Sequence, residues 1–402
     1  MKILNALPSE TLEYPLAFLY GSAALDSGTV KVDGISWPVR NGHFKVLAKL
    51  KPGLNDLAFD FGSAKESFAV RYQPKSNPKY VRLVYFLGSD QDGSFPAPAG
   101  MPNGVAEAVA RIKLGGLLMQ TFYAESGKRT TEAVNGSRGL QKRTFRLELD
   151  ADGEPVVHVV KSVRRTAAEW RAQPSNTAYG EVHDEIRKIL GNEGTFKQAV
   201  IMGFSNRDHY VAQKAAGTGV AWGGGSRDGS GNGATTGCTL YAWAPSLAEF
   251  VPAFSNRRVP EASLCRDWDY ATYMGNYSTT LGGWFHEIGH TFGLGHTDYG
   301  IMSPQIDKVN RFFMIEDAIR KNEYLLPEKE LPNTWWYTSQ TSMWQGDFFA
   351  TQPAALAYGG AEPRQGAFPA ESGAGFHGWR WERGGYSLDG RTVDRGAARN
   401  PR

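Results

Sequence analysis

The chain has 402 residues, of which 41% are hydrophobic and 21% charged, with a formal net charge of +3. This length is too great for one ordinary core and indicates two or three domains, and the composition is that of a globular protein. The near-neutral charge, without a long lysine or arginine run, gives no support for a nucleic-acid-binding protein. No apolar run approaches the ~20 residues that a membrane helix needs.

The N-terminus and the cysteines bear on the cellular compartment. The first residues, MKILNALPSETLEYPL, lack the apolar core of a signal peptide, so we expect a cytoplasmic protein. The two cysteines, Cys238 and Cys265, do not form a CxxC pair, which argues against a thiolate zinc site. Both reduced thiols and a single disulfide remain open, and reduced buried thiols are the simpler expectation.

Residues 1–75 alternate short β-rich runs with turn pairs at Asp33-Gly34, Asn41-Gly42 and Pro52-Gly53. The spacing predicts a small all-β sandwich. Its predicted strands are 15–20, 29–32, 44–50, 57–61 and 67–72. We assign 1–75 to an Ig-like accessory domain.

After a polar linker at 73–78, the pattern changes to one of alternating strands and helices. An apolar run at 81–87 predicts a buried strand, and Asn103 can cap the helix that follows it. Further strands are predicted at 144–149, 155–160, 198–204 and 239–243, with a helix at 181–190. This order predicts an α+β domain with a mixed sheet over 79–345. The Gly/Arg-rich segment 346–402 is predicted to be a poorly ordered tail.

Three histidines lie close together in the segment HEIGHTFGLGH, which runs from His286 to His296. On an α-helix, residues four apart differ by about 40° in azimuth and ~6 Å along the axis, so His286 and His290 project from one face. A continued helix would point His296 away. The chain must therefore turn, and Gly293 is placed to allow a positive φ there.

This histidine arrangement predicts one Zn²⁺ per chain. Three neutral imidazoles leave a fourth position for water, whose pKa zinc lowers toward ~7. Glu287 is then the predicted general base, which takes a proton from the zinc-bound water and returns it to the leaving amine. Met302 follows His296 by six positions, and Gly300 can supply a turn between them. The other histidines of this domain are predicted to be surface or hydrogen-bonded residues: His158, His183 and His209.

The pattern HExxHxxGxxH followed by a methionine is similar to that of the metzincin peptidases. The chain resembles a family of zinc metallopeptidases known mainly from fungi and grouped near the matrixin-like peptidases. Further stretches that carry this resemblance are 41–45, 50–55, 118–125, 222–225 and 240–245. The resemblance implies a metzincin-like catalytic domain, with a mixed twisted sheet and an active-site helix. It also implies that Met302 lies on a tight turn and forms an apolar floor under the histidines.

The same resemblance implies two further roles. In metzincins the edge strand before the active-site helix pairs with the substrate in antiparallel fashion, and a plain surface strand is the equal alternative here. Tyr299, which precedes the methionine, is the candidate for oxyanion support, with turn packing as its equal alternative. The implied edge strand consists of Gly219, Val220, Ala221, Trp222, Gly223 and Gly224. A phosphate-binding loop in this glycine-rich stretch is disfavoured because no Walker or GxGxxG pattern is present.

We therefore predict a zinc-dependent metalloendopeptidase that acts on protein or peptide substrates, without nucleic-acid or membrane partners. The alternative is a catalytically silent, zinc-stabilised protein that recognises a partner or a glycan. A deaminase fits less well, because its site combines one histidine with a closely spaced cysteine pair. The oligomeric state is not predicted.

Overall fold

The computed structural model describes residues 1–135, 142–191, 194–225, 229–266, 271–296, 301–302, 306, 309–316 and 348–349. Within them the chain has a mixed α+β fold with two sheets. The first sheet contains β1 (Lys2–Ile3), β2 (Thr11–Leu12), β3 (Leu16–Ser22), β4 (Ser27–Val32), β5 (Ile35–Arg40), β6 (His43–Lys49), β7 (Gly53–Asp60) and β8 (Lys65–Tyr72). The second contains β9 (Tyr80–Leu87), β10 (Arg146–Leu147), β11 (Val157–Lys161), β12 (Phe196–Met202), β13 (Ala221–Gly225) and β14 (Gly231–Thr236).

Seven α-helices accompany these strands in the described part of the chain. They are α1 (Val105–Asn135), α2 (Ala167–Arg171), α3 (Ser175–Leu190), α4 (Arg207–Ala215), α5 (Phe250–Ala253), α6 (Tyr273–Thr291) and α7 (Val309–Phe313). The predicted helix after Asn103 is confirmed as α1, and the one predicted at 181–190 is confirmed as the second half of α3.

The N-terminal strands follow one hydrogen-bonded path, β1-β3-β6-β5-β4-β7-β8-β2. The path runs without interruption from β1 to β2. The path has its fewest paired residues between β4 and β7, which share the single residue pair Lys31↔Asp60. Strand β5 was not predicted, because Pro38 lacks the N–H that a strand interior uses. The structure accommodates Pro38 opposite Thr29, beyond the short β5–β6 pairing, which involves only Val39 and Arg40 of β5.

The second sheet has the order β10-β9-β12-β14-β13, and β11 also pairs with β9. Strands β10, β11, β12 and β14 join their neighbours in parallel, while β13 is antiparallel to β14 at the edge. Side chains alternate between the two faces. Leu83 and Tyr85 face the core shared with α1 and α6, and Val84 and Phe86 face α2 and α3. Helix α6, which carries the histidine motif, packs on the same face of the sheet as α1, against β13 and β14.

The strand predicted at 239–243 is wrong. Residues Leu240–Ala242 form a 3₁₀ turn, and the strand at this place is β14, which ends at Thr236. In its sequence, GNGATT, the first four residues are Gly, Asn and Ala, which are not typical of strands, and the β-branched Thr235 and Thr236 come only at its end. Small residues are needed here because α6 lies directly against β13 and β14, as described below.

The N-terminal sheet is continuous with the core of the second part of the chain. Thr121 of α1 donates a hydrogen bond to the Leu16 carbonyl at 2.7 Å, and Phe18 stacks on Phe312 of α7 at 5.1 Å between ring centroids. Lys45 donates to the Arg311 carbonyl at 2.7 Å. The sheet thus contacts both α1 and α7.

The structure joins Cys238 to Cys265 in a disulfide, so the expectation of reduced thiols is wrong. Both residues are buried beside Tyr210 and Val220. Of the segment 346–402, the structure describes only Phe348 and Phe349, which pack against Phe292. Among the described residues, no helix is both long enough and apolar enough to span a membrane.

Candidate metal centre and active site

The helix that carries the histidine motif is longer than the motif suggests. It begins at Tyr273, and Thr272 caps it by accepting a hydrogen bond from Gly275 N at 3.0 Å. Thr279 and Thr280 lie inside the helix and are buried. A Cβ at Gly282 would lie 2.8 Å from the Ile306 carbonyl carbon. Glycine thus permits close packing inside this helix.

The chain turns sharply after α6. Gly293 adopts φ 79°, as predicted, and its N–H donates to the His290 carbonyl at 3.0 Å. The Leu294 N–H donates to the Gly289 carbonyl at 3.2 Å. This turn returns His296 to the helix, so that the ligand nitrogens of His286, His290 and His296 all lie within 4.8 Å of one another.

The hydrogen bonds of the first two histidines indicate which nitrogens point toward a metal ligand position. His286 Nδ1 lies 2.7 Å from the Ile301 carbonyl oxygen, and His290 Nδ1 lies 2.7 Å from that of Leu294. Because a carbonyl oxygen only accepts, each neutral ring carries its proton on Nδ1 and presents a lone pair at Nε2. The two Nε2 atoms are 3.0 Å apart. Facing lone pairs at this distance repel, and a cation among the three rings removes the repulsion. The donor set therefore fits zinc, which binds imidazole nitrogen at about 2.0–2.1 Å.

The surroundings of the histidines favour their neutral form. Burial, followed by the nearby His290, lowers the pKa of His286 to about 3. The same two causes lower the pKa of His296 to about 4, and burial lowers that of His290. Neutral imidazole is the form that binds a metal.

Glu287 lies on α6 between the first two ligands and is buried. Burial raises the pKa of its carboxyl well above the ordinary value. Its backbone lies against the second sheet, where a Cβ on Gly233 would be 2.8 Å from the Glu287 carbonyl carbon. A Cβ on Gly223 would be 2.8 Å from the Glu287 Cα. Two glycines in adjacent strands therefore let α6 approach the sheet at this residue.

The predicted edge strand at 219–224 corresponds to β13, Ala221–Gly225, with Gly219 and Val220 immediately before it. Strand β13 ends the hydrogen-bonded order of the sheet, so within the described ranges no strand pairs with its outer edge. Ser175 of α3 donates to the Gly219 carbonyl at 3.1 Å and so anchors the approach to this strand.

Met302 is buried on the side of α6 that faces α1. Its Sδ lies 2.5 Å from the position that a Cβ on Gly289 would take, between the two ligands of the helix. The neighbouring Ile301 carbonyl accepts the hydrogen bond from His286. Tyr299 lies outside the described residues.

Two residues at the site carry no motif that would have revealed them. Tyr123 of α1 donates a hydrogen bond to the Phe285 carbonyl at 2.5 Å. Lys197 of β12 donates to the Thr291 carbonyl, at the end of α6, at 2.6 Å. The only signal for Lys197 was a lysine within the apolar run FKQAVIM. The only signal for Tyr123 was its place in the stretch 118–125, which carries part of the family resemblance.

The other histidines lie elsewhere. His158 pairs with Glu148 at 2.8 Å, and His209 Nδ1 lies 3.0 Å from Ser205 Oγ. Burial, followed by the charge of Arg187, lowers the pKa of His183. Among the described residues, His286, His290 and His296 form the one cluster suited to a metal.

Sequence and structure comparisons place these features in a wider group of proteins. Two curated proteins are each 26% identical to this chain and are each named "Putative zinc metalloproteinase". One, from Schizosaccharomyces pombe, aligns over 69% of this chain and 46% of its own length. The other, from Saccharomyces cerevisiae, aligns over 79% and 49%. The chain thus spans about half the length of the curated relatives it matches.

Solved structures similar to this chain include crystal structures of OgpA from Akkermansia muciniphila. The wild-type protein in one crystal form has 16% identity and a TM-score of 0.37, and the match covers 71% of this chain and 66% of that one. A catalytically inactive OgpA bound to an O-glycopeptide substrate has 15% identity and a TM-score of 0.34, over 67% and 64%.

The family model described as "Putative peptidase family" matches residues 2–340, which include both sheets and the histidine cluster. The match extends over most of the 402 residues. The chain therefore belongs to this peptidase family, Metallopep.

Proposed function

We propose that this chain is a zinc-dependent metalloendopeptidase of the metzincin type. The observation that carries the proposal is the pair of Nε2 atoms 3.0 Å apart, each on a ring whose Nδ1 donates to a carbonyl. With His296 beside them, the rings present a three-nitrogen site. The names of the relatives support zinc and peptide hydrolysis.

His286, His290 and His296 would hold the ion, one per chain. Bound zinc polarises the scissile carbonyl and makes water more acidic. Glu287 would then accept a proton from the attacking water and deliver it to the leaving amine. Its position between the two helical ligands, in a helix held against Gly223 and Gly233, supports this role. The buried setting of the carboxyl excludes bulk water from the proton transfer.

The remaining assignments belong to the same proposal. The metzincin-like domain would extend over 79–345, with 1–75 as an Ig-like accessory domain and 346–402 as a tail. Strand β13 would pair with an extended substrate peptide through its outer edge, which is supported by its antiparallel position at the end of the sheet. Met302 would form the apolar floor of the site, and Tyr299 would support the oxyanion.

The test is cleavage of a diverse peptide library by the purified, zinc-loaded protein beside a Glu287→Gln variant. Metal content is measured for both proteins. Glu185→Gln is the matched control, because Glu185 is also buried but lies on α3, hydrogen-bonded to Ser162 and Val163. We expect cleavage by the wild type and the control, and none by Glu287→Gln with zinc retained.

Two other outcomes would change the assignment. Equal cleavage by Glu287→Gln and wild type would remove Glu287 as the base. No cleavage by any variant, with one zinc bound per chain, would favour the zinc-stabilised binding protein.

A further inference from the structure

Tyr123 connects α1 to the metal-binding turn of α6. It is fully buried, and its hydroxyl donates to the Phe285 carbonyl at 2.5 Å. Phe285 immediately precedes the ligand His286. In an α-helix this carbonyl also accepts from the N–H four residues on, that of Gly289. The tyrosine hydroxyl therefore adds a second donor, from another element, to the peptide group beside the first ligand.

The same tyrosine lies close to the next turn of the helix. The position that a Cβ on Gly289 would take is 2.9 Å from Tyr123 Oη and 2.5 Å from Met302 Sδ. Helix α1, Met302 and α6 thus meet at a residue that lies between His286 and His290. Any side chain at 289 would displace one of the two groups.

The opposite side of α1 is fixed to the N-terminal sheet. Thr121 donates to the Leu16 carbonyl at 2.7 Å, and Glu125 accepts from the Tyr14 hydroxyl at 3.1 Å. Thr121 and Glu125 are four residues apart and share a helix face, whereas Tyr123 lies about 200° around the axis from each. One face of α1 therefore contacts the N-terminal strands and their connection, and the opposite face contacts α6.

We infer that Tyr123 is a positioning residue of the metal site, which fixes the turn carrying His286 and His290 relative to α1 and the N-terminal sheet. This inference rests on the proposed function and deepens it. A metal site needs its ligands held to within about 0.5 Å. The hydroxyl–carbonyl bond opposes movement of α6 relative to α1. The inference also assigns the N-terminal sheet a supporting role at the site.

Tyr123→Phe removes one hydroxyl and keeps the ring. Tyr241→Phe is the matched control, because Tyr241 is also buried and donates to a backbone carbonyl, that of Cys265, at 2.5 Å. Zinc affinity is measured by competition with a chelator, alongside kcat, KM and the thermal midpoint of the metal-free proteins. We expect similar midpoints for the two variants. Zinc affinity and kcat should fall about tenfold in Tyr123→Phe alone, with KM unchanged, at the lower end of the effect of groups that orient metal ligands.

Equal zinc affinity and kcat in the two variants would overturn the inference. A second comparison tests the contact between Tyr123 and Gly289 directly. Gly289→Ala places a methyl group against Tyr123 Oη and Met302 Sδ and should weaken zinc binding. In the double variant the missing hydroxyl relieves one of the two close contacts of the methyl group. The zinc affinity of the double variant should therefore be higher than the value obtained by multiplying the two single effects. Independent effects that simply multiply would contradict the contact on which the inference rests.

The two proposals fail in different ways. A wild-type protein that binds no zinc and cleaves no peptide would end the proposed function. A wild type that binds zinc and cleaves peptides, beside a Tyr123→Phe variant that matches Tyr241→Phe in both respects, would end only the inference about Tyr123.

Discussion

The ammonium group of Lys197 lies 2.6 Å from the carbonyl oxygen of Thr291, the last residue of α6. Lys197 is fully buried in β12 and also donates to the Gly229 carbonyl at 2.7 Å. A positive charge is favourable at the negative end of a helix dipole. Lys197 therefore fixes the place where α6 ends and the chain turns back toward His296.

Replacing Lys197 should disturb both stability and the third ligand. Lys197→Met keeps the apolar stem but leaves the Thr291 and Gly229 carbonyls without this donor. We expect a loss of about 3 kcal/mol in the free energy of unfolding, since a buried acceptor that loses its partner costs ~1–3 kcal/mol. Zinc affinity should fall as well, because the turn to His296 loses its anchor. Denaturant unfolding and chelator competition measure the two effects. Lys161→Met, at an exposed position of β11, is the control. If Lys197→Met were as stable as this control, the role assigned to Lys197 at the end of α6 would be contradicted.

The histidine site was predictable because its information is local. Four-residue spacing places His286 and His290 on one helix face, and Gly293 signals the turn that returns His296. The same holds for β9 and β12, whose apolar runs indicated buried strands in the sequence. Short-range patterns of this kind need no knowledge of distant contacts.

The parts that sequence reasoning missed depend on contacts between distant segments. Gly282 lies inside α6, where the close approach of Ile306 leaves no room for a side chain. The glycines of β14 are unusual within a strand, yet they allow α6 to lie against the sheet. Tyr123 acts through a carbonyl 162 positions away in sequence, which no periodicity can indicate. Strand β5 could not be predicted because it contains Pro38. Whether a strand tolerates a proline depends on where its pairing with the neighbouring strand ends.

The glycines opposite Glu287 provide a test of the helix–sheet contact. In Gly233→Ala the new methyl group would meet the Glu287 carbonyl carbon at 2.8 Å. We expect a loss of about 2 kcal/mol in unfolding free energy, typical of overpacking, together with a lower kcat, because α6 must move away from β14. Gly180→Ala is the control, since a Cβ at that position of α3 meets nothing within 4 Å. Urea unfolding and peptide cleavage are the measurements. Equal effects in both variants would contradict the assigned register of α6 on the sheet.

Glu148 should account for part of the decrease in unfolding free energy at low pH. Burial alone would raise its pKa, but hydrogen bonds from His158 and Arg82 lower it from 4.5 to about 2. Because the folded-state pKa lies below the unfolded value, the stabilisation is complete above pH about 4.5 and is lost as the pH falls toward about 2. Glu148→Gln should therefore flatten the unfolding free energy between these pH values. Denaturant midpoints measured across this range test the prediction, and an unchanged slope in the variant would count against it.

The Cys238–Cys265 disulfide bears on both stability and compartment. It joins residues 27 positions apart, and closing a loop of this length stabilises a fold by about 3 kcal/mol in the chain-entropy account. Structural disulfides are typical of oxidising compartments, which weighs against the cytoplasmic expectation drawn from the N-terminal sequence.

We therefore expect no free thiol when the unfolded, unreduced protein is titrated with a thiol reagent, and two after reduction. Cys265→Ser should lower the unfolding free energy by about 3 kcal/mol. A dithiol reductant should lower the unfolding free energy of the wild type by a similar amount. Two titratable thiols in the unreduced protein would instead restore the reduced pair, and the cytoplasmic expectation would then regain its support.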